Sequence, residues 1–142
     1  MAEVTVSVEP EETDEYDKAV EAFVGEYGKD KYLIRVVNED VAKKFLEPEK
    51  VRNTLLSILS EMIVNMGDTK TKIMDTHDFS MDLGFDSLDE MDFWMRIEFQ
   101  FGITVENVVL ERLFASNKKH RTVRFLAKFI VHELKRVFGD KN

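Results

Sequence analysis

Hydrophobic residues recur every three or four positions in several stretches of the chain, which is the spacing of helices that bury one face. In the N-terminal part this pattern predicts a helix over residues 16–27 and a short helix that Asn38 caps and Pro48 ends. Residues 31–37 (KYLIRVV) fit either a short strand or a buried helical turn, whereas residues 1–15 are acidic and lack sustained periodicity. We therefore expect a flexible start followed by short helices.

The pattern is stronger from residue 49 onward. It predicts a helix from about residue 49 to a cap at Gly67, and a second helix from Ser87 to a cap at Gly102. The connection between these helices is longer than most loops in compact domains, and loops of that length are often functional.

Two further helices are predicted after Gly102, with Thr104 and Thr122 as candidate N-caps, and Gly139 closes the second. The fold class is therefore all-α: a four-helix bundle with a long first loop and a partly helical N-terminal extension. We divide the chain into three parts: an extension at 1–48, the bundle at 49–138 and a tail at 139–142.

Composition and charge exclude several classes of protein. The net charge of −8 speaks against a nucleic-acid partner, because phosphate-binding surfaces need clustered Lys and Arg. The absence of cysteine excludes disulfides, thiolate zinc sites and a cysteine nucleophile. The start of the chain lacks the basic and apolar regions of a secretory signal, and no apolar run is long enough to span a membrane. We expect a cytoplasmic monomer whose acidic surface steers it towards basic partners.

Residues 82–94 (DLGFDSLDEMDFW) place one serine, Ser87, between a glycine turn and a helix rich in carboxylates. Ser87 and Glu90 have the spacing of a capping box, in which each side chain satisfies a backbone amide of the first turn. Asp86 is an equally good N-cap, and Gly84 permits the sharp turn that precedes it. The alternative is that Ser87 is modified by another protein.

Other kinds of site fit the sequence poorly. A calcium-binding loop that begins at Asp78 would need glycine at its sixth position and glutamate at its twelfth, but these positions hold Leu83 and Asp89. We therefore predict no metal site. The three histidines have no paired nucleophile and are not expected to be catalytic: His77, His120 and His132.

Residues 82–103 (DLGFDSLDEMDFWMRIEFQFGI) closely resemble the signature of acyl carrier proteins, in which a D-S-L triplet after a D-L-G turn opens the second helix. A looser resemblance, in the order of helices and the long first loop, extends from about residue 49 to residue 137. The matching positions are Asp82, Leu83, Gly84, Asp86, Ser87, Leu88, Asp89, Met95, Glu98, Phe101 and Gly102.

The resemblance implies a non-catalytic carrier. A separate phosphopantetheinyl transferase would attach 4′-phosphopantetheine from coenzyme A to Ser87, with Asp86 and Leu88 beside it in the cofactor-binding motif. Acyl intermediates of fatty-acid, polyketide or specialised lipid synthesis would then be held as thioesters. Acyl-transfer and synthase enzymes would dock through basic patches on four acidic residues: Asp86, Asp89, Glu90 and Asp92.

Some positions depart from the family pattern or extend it. Phe85 and Phe99 are more apolar than usual there, and the region from 101 to 123 is longer. We expect the helical part of the extension to pack on the bundle and cover these two rings. Three methionines are candidates for a pliable acyl pocket: Met62, Met91 and Met95. The alternative function is an unmodified, carrier-like interaction scaffold or subunit.

Overall fold

The computed structural model of the protein describes residues 5–7, 13–68, 72–114 and 118–139. Six α-helices lie in these ranges: α1 (Thr13–Tyr27), α2 (Glu39–Ala42), α3 (Pro48–Asn65), α4 (Ser87–Phe101), α5 (Asn107–Phe114) and α6 (Val123–Gly139). Two 3-10 turns accompany them: Lys43–Phe45 and Lys118–Arg121.

The predicted fold class is confirmed, since the protein is mostly helical with little strand. Helices α3 to α6 follow the predicted order of helix, long loop, helix, short helix and helix, and α1 and α2 precede them. None of the helices that the structure describes is long and apolar enough to cross a membrane.

Two small sheets join the first 48 residues to the later part of the chain. Strand β1 (Thr5–Ser7) pairs in parallel with β3 (Lys72–Met74), and β2 (Arg35–Val36) pairs antiparallel with β4 (Ile103–Thr104). The ambiguous 31–37 segment thus contains a short strand. Most of residues 1–15, for which we predicted flexibility, lie outside the described residues.

Several helix ends follow the expected local chemistry, but the start of α5 does not. The Asn38 side chain caps α2, and Pro48 is the first residue of α3, where its missing N–H costs nothing. Thr122 caps α6 by accepting a hydrogen bond of 3.1 Å from the Phe125 N–H. Thr104 does not cap α5 as predicted, because it pairs with Arg35 in the β2–β4 sheet and the helix begins three residues later.

Helix α6 lies at the centre of the core, between α3 and α1. It is buried around most of its circumference, whereas α3 is buried along one stripe. The large fully buried side chains come from all parts of the bundle and include Leu55, Leu59, Phe93, Phe101, Phe125 and Phe129.

Helix α1 packs on α6 through the apolar stripe that the sequence predicts. The Phe23 ring is 3% exposed and lies 5.7 Å from the Phe129 ring and 6.2 Å from the Phe125 ring, nearly perpendicular to both. Tyr16, Val20 and Val24 are buried beside it. The expectation that the extension packs on the bundle is therefore correct.

The prediction that the extension covers Phe85 and Phe99 is wrong. Phe85 is buried by Phe79 and Phe93, which belong to the bundle itself. Phe99 is 88% exposed. The physical reason is that α1 lies against α6 and not against the outer face of α4.

Gly102 joins the extension to the end of α4. It has a φ of 67°, and its carbonyl accepts hydrogen bonds from the N–H groups of Val37 (2.8 Å) and Asn38 (3.0 Å). A Cβ at this position would lie 2.8 Å from the Asn38 carbonyl oxygen, so the close approach of the two segments also requires glycine.

Candidate functional site

Ser87 is the first residue of α4, and its side chain is exposed. The N-cap is Asp86, whose carboxylate accepts a hydrogen bond of 2.8 Å from the Asp89 N–H, while the Asp89 carboxylate accepts one of 3.0 Å from the Asp86 N–H. The capping box that we predicted for Ser87 and Glu90 is therefore wrong, because the preceding aspartate already fills that role. No hydrogen bond among the described residues uses the Ser87 hydroxyl.

A sharp turn and a buried ring hold the chain just before the helix. Gly84 has a φ of 74° with open space around it, so the backbone conformation alone favours glycine there. The next residue, Phe85, is 3% exposed and its N–H donates to the Phe79 carbonyl at 2.9 Å. Burial of this ring fixes where the chain enters α4 and accounts for an apolar aromatic residue at this position.

An ion pair between Asp78 and Arg121 braces the same loop. The Arg121 guanidinium donates to both carboxylate oxygens, at 3.0 and 2.8 Å, and the Asp78 carboxylate also accepts from the Ser80 N–H at 2.9 Å. Burial on its own would raise the pKa of Asp78, but the hydrogen bonds from Arg121, Ser80 and Met81 lower it below its usual value.

A second ion pair, between Asp75 and Arg124, lies deeper. Arg124 Nε donates to Asp75 Oδ2 at 2.9 Å, and both side chains are buried. The two pairs fix the long loop to the residues around the start of α6. The 3-10 turn Lys118–Arg121 therefore ends on a structural arginine. Local sequence patterns do not predict these contacts, because each joins positions more than 40 residues apart.

The four acidic residues predicted to form a docking surface have different environments. Asp86 is exposed, and Asp89, its partner in the capping box, is half-buried. Asp92 is exposed and pairs with Arg96 at 3.2 Å. Glu90 is half-buried, and its Oε2 atom is buried without a partner among the described residues. Burial raises the pKa of Glu90, Arg121 opposes that shift, and the Asp78, Asp86 and Asp89 carboxylates add to it.

Beside Ser87, a cavity of about 330 Å³ lies between α4 and α5. That volume is at the lower end of the range for small-molecule sites. The Trp94 and Phe114 rings meet edge to face in its wall, with centroids 6.0 Å apart. Its lining residues are Ser87, Glu90, Met91, Trp94, Asn107, Leu110, Glu111 and Phe114.

The structure does not bring the three predicted pocket methionines together. Met62 is buried in the core, and Met91 lines the cavity beside Ser87. Met95 lines a different surface groove, with Phe99 and Arg96. Sequence reasoning missed Trp94, although a helical wheel places it seven residues after Ser87 and so on the same face of α4.

The arrangement is suited to receive a covalently attached group. The Ser87 hydroxyl has no hydrogen bond to a base among the described residues. Those residues also contain no cluster of three or more side chains suited to a metal ion. An exposed hydroxyl and an adjacent apolar cavity fit a covalently attached arm. The helix N-terminus suits an acidic group next to the point of attachment.

Comparison with known proteins agrees with this geometry. Residues 53–130, more than half of the chain, match the model of the family described as "Phosphopantetheine attachment site". Searches of the curated proteins and of the solved structures found no match. Carrier domains of the matched family are generally non-catalytic and interact with transferases and synthases. The chain therefore belongs to the phosphopantetheine attachment-site family, and its domain is a carrier with 4′-phosphopantetheine as covalent cofactor.

Proposed function

We propose that Ser87 is the attachment residue and that the protein is a non-catalytic acyl carrier for fatty-acid, polyketide or specialised lipid synthesis. The observation that supports this most strongly is the free, exposed hydroxyl of Ser87 at the start of α4. Because Asp86 and Asp89 cap the helix, Ser87 can be modified without the loss of a structural hydrogen bond.

Attachment would exchange one bond to phosphorus for another. Ser87 Oγ would form the new oxygen–phosphorus bond and lose its proton to the transferase, while the bond from that phosphorus to the rest of coenzyme A breaks. When bound, the phosphopantetheine group supplies the thiol for thioester chemistry that a chain without cysteine lacks.

The first turn of α4 can stabilise the phosphate. Its Asp89 and Glu90 N–H groups donate to Asp86, whereas those of Ser87 and Leu88 have no partner among the described residues. Free amides at the positive end of a helix favour an anion. This supports the assignment of Leu88, together with Asp86, to the attachment motif.

The proposed docking surface consists of Asp86, Asp89 and Asp92, with Glu90 at its inner edge. Its partners are the phosphopantetheinyl transferase and acyl-transfer or synthase enzymes with basic patches. We propose that the carrier works as a monomer in the cytoplasm, without a nucleic-acid partner.

The test is the intact mass of the protein after incubation with a phosphopantetheinyl transferase and coenzyme A. We expect one added group on the native protein and on Ser57→Ala, which removes an exposed serine of α3 as the matched control. We expect no addition on Ser87→Ala. Addition to Ser87→Ala, or none to the native protein with any competent transferase, would contradict the proposal and favour an unmodified scaffold.

A further inference from the structure

Helix α5 forms one wall of the cavity beside Ser87, yet it is only 8 residues long. Isolated helices shorter than about 12–15 residues are marginal in water, so α5 depends on contacts with other parts of the protein. Val109 and Leu113 are buried and attach one face of α5 to the core. Further contacts come from the N-terminal extension, which lies outside the residues 53–130 that match the family.

The extension holds the chain at the start of α5. Strand β2 pairs with β4, which lies between α4 and α5, and the Val37 N–H donates to the Gly102 carbonyl at 2.8 Å. Lys31 Nζ lies 3.5 Å from Glu106 Oε2, immediately before the first residue of α5. Backbone hydrogen bonds and an ion pair thus join the extension to this end of the helix.

Contacts with α1 hold the other end of α5. The Arg112 guanidinium lies over the Tyr27 ring, 5.7 Å from its centroid, which is the geometry of a cation–π interaction. The His120 ring lies 5.2 Å from the Phe23 ring, edge to face, and has a hydrogen bond with the Arg112 backbone. The extension therefore contacts both ends of α5.

The position of α5 affects what a protein meets when it docks at Ser87. Leu110 and Phe114 of α5 line the same cavity as Ser87, so a partner bound there lies against both α4 and α5. If α5 is displaced in a fraction of the molecules, the apparent affinity of such a partner falls with that fraction. The chemistry at the hydroxyl is unchanged, so the effect falls on KM and not on kcat.

We propose that the N-terminal extension positions α5 beside Ser87 and so prepares the surface that the phosphopantetheinyl transferase binds, with Lys31 and Arg112 as positioning residues. The inference rests on the proposed attachment at Ser87. It assigns a function to a segment that lies outside the family match.

Hydrogen exchange of the full chain, followed by mass spectrometry, tests whether the extension holds α5. The double variant Lys31→Gln with Arg112→Gln removes one contact at each end of α5, and both side chains are exposed, so the core is unchanged. Lys18→Gln with Lys29→Gln is the matched control, because it removes the same charge from exposed positions of the extension. We expect the amides of residues 107–114 to exchange about three- to tenfold faster in the first variant only.

The kinetics of transfer to Ser87 test whether this matters for the transferase. With the protein as the varied substrate, the first double variant should raise KM about two- to threefold and leave kcat unchanged. The control variant should match the native protein, which also corrects for the change in net charge. Arg112→Lys keeps a cation over the Tyr27 ring and should restore most of the native KM when it replaces Arg112→Gln.

Two results would overturn the inference. One is equal exchange of residues 107–114 in the two double variants, which would mean that the extension does not hold α5. The other is faster exchange with an unchanged KM, which would restrict the extension to stabilising the fold. In both cases addition to Ser87 leaves the carrier proposal intact, whereas absence of addition to the native protein refutes that proposal separately.

Discussion

The apolar stripe of helix α1 is covered, whereas the outer apolar stripe of helix α4 is exposed. In α1 the buried stripe consists of Tyr16, Val20, Phe23 and Val24, all at most 9% exposed. In α4 the outer stripe consists of Leu88, Met91, Met95 and Phe99, all at least 62% exposed. The two helices have the same length, 15 residues, so the difference lies in their neighbours.

The covered stripe has a partner that both apolar and polar contacts hold in place. Helix α6 meets α1 through aromatic rings, and ion pairs join Lys128 to Asp17 at 3.0 Å and Lys119 to Glu15. The side chains on the outer face of α4 are exposed in the part of the chain that the structure describes, although an inner stripe of the same helix is buried. An apolar stripe beside Ser87 is therefore left at the surface, whereas a similar stripe in the extension belongs to the core.

The largest expected effect comes from truncating one ring in each stripe. Phe23→Ala should lower the free energy of unfolding by about 3–5 kcal/mol, because it leaves a cavity between α1 and α6. Phe99→Ala should change it by less than about 0.5 kcal/mol, because that ring is in water. Urea denaturation measures both, and equal losses would contradict the comparison.

The next largest effect comes from breaking a buried ion pair beside the start of α4, compared with an exposed pair on α4 itself. Arg121→Gln leaves Asp78 mostly buried without its partner and should cost up to about 3 kcal/mol at pH 7. Arg96→Gln is the control on α4, and loss of its exposed pair with Asp92 should cost less than about 1 kcal/mol.

The Arg121 effect should depend on pH. Because the folded pKa of Asp78 is lowered, the pair stabilises the protein above the unfolded carboxyl value of about 4. That stabilisation is lost as the pH falls through the folded pKa. The native protein and Arg121→Gln should therefore converge in stability at low pH, and a constant difference between pH 7 and pH 2 would refute the assignment.

A smaller effect is expected on the rate of transfer to Ser87. Asp86→Asn keeps a good N-cap but removes a charge, and with Asp92→Asn it should slow transfer about two- to fivefold, as expected for exposed charges. Asp17→Asn on α1 is the matched control and should not change the rate. The native rate should also fall with added salt. A rate that neither the double variant nor salt changes would restrict Asp86 to capping.

The smallest effect concerns Glu90, whose folded pKa is raised mainly by burial. Glu90 therefore loses its proton more readily in the unfolded chain than in the folded protein, so ionisation favours unfolding. The free energy of unfolding decreases as the pH rises from the unfolded pKa through the folded pKa. Glu90→Gln should therefore raise the melting temperature slightly at pH 7 and not at pH 3. A rise of equal size at both pH values would point to packing and not to charge.

The sequence was sufficient for the parts of the fold that depend on local chemistry. Hydrophobic periodicity, Gly67 and Gly102 predicted where α3 and α4 begin or end to within about two residues, the usual uncertainty of helix bounds. The position of Ser87 at a helix start was also predictable, because the turn at Gly84 and the run of carboxylates are local signals.

Contacts between distant positions could not be predicted in the same way. The pairing of Asp78 with Arg121 spans 43 residues, and nothing in either segment indicates the other. Asp86 and Ser87 are adjacent and are both favourable N-cap residues, so N-cap propensity alone does not show which of them caps α4. Phe85 and Phe99 are both apolar, so the sequence alone suggests that each needs a cover. The structure shows that α1 packs on α6 and covers neither ring.

Peptide mapping by tandem mass spectrometry tests the central claim most directly, because it locates the added group on the chain. After modification by a transferase, we predict the phosphopantetheine on the peptide that contains Ser87, with fragment ions that assign it to that residue. A group found on any other serine would contradict the account, even if the intact mass were correct.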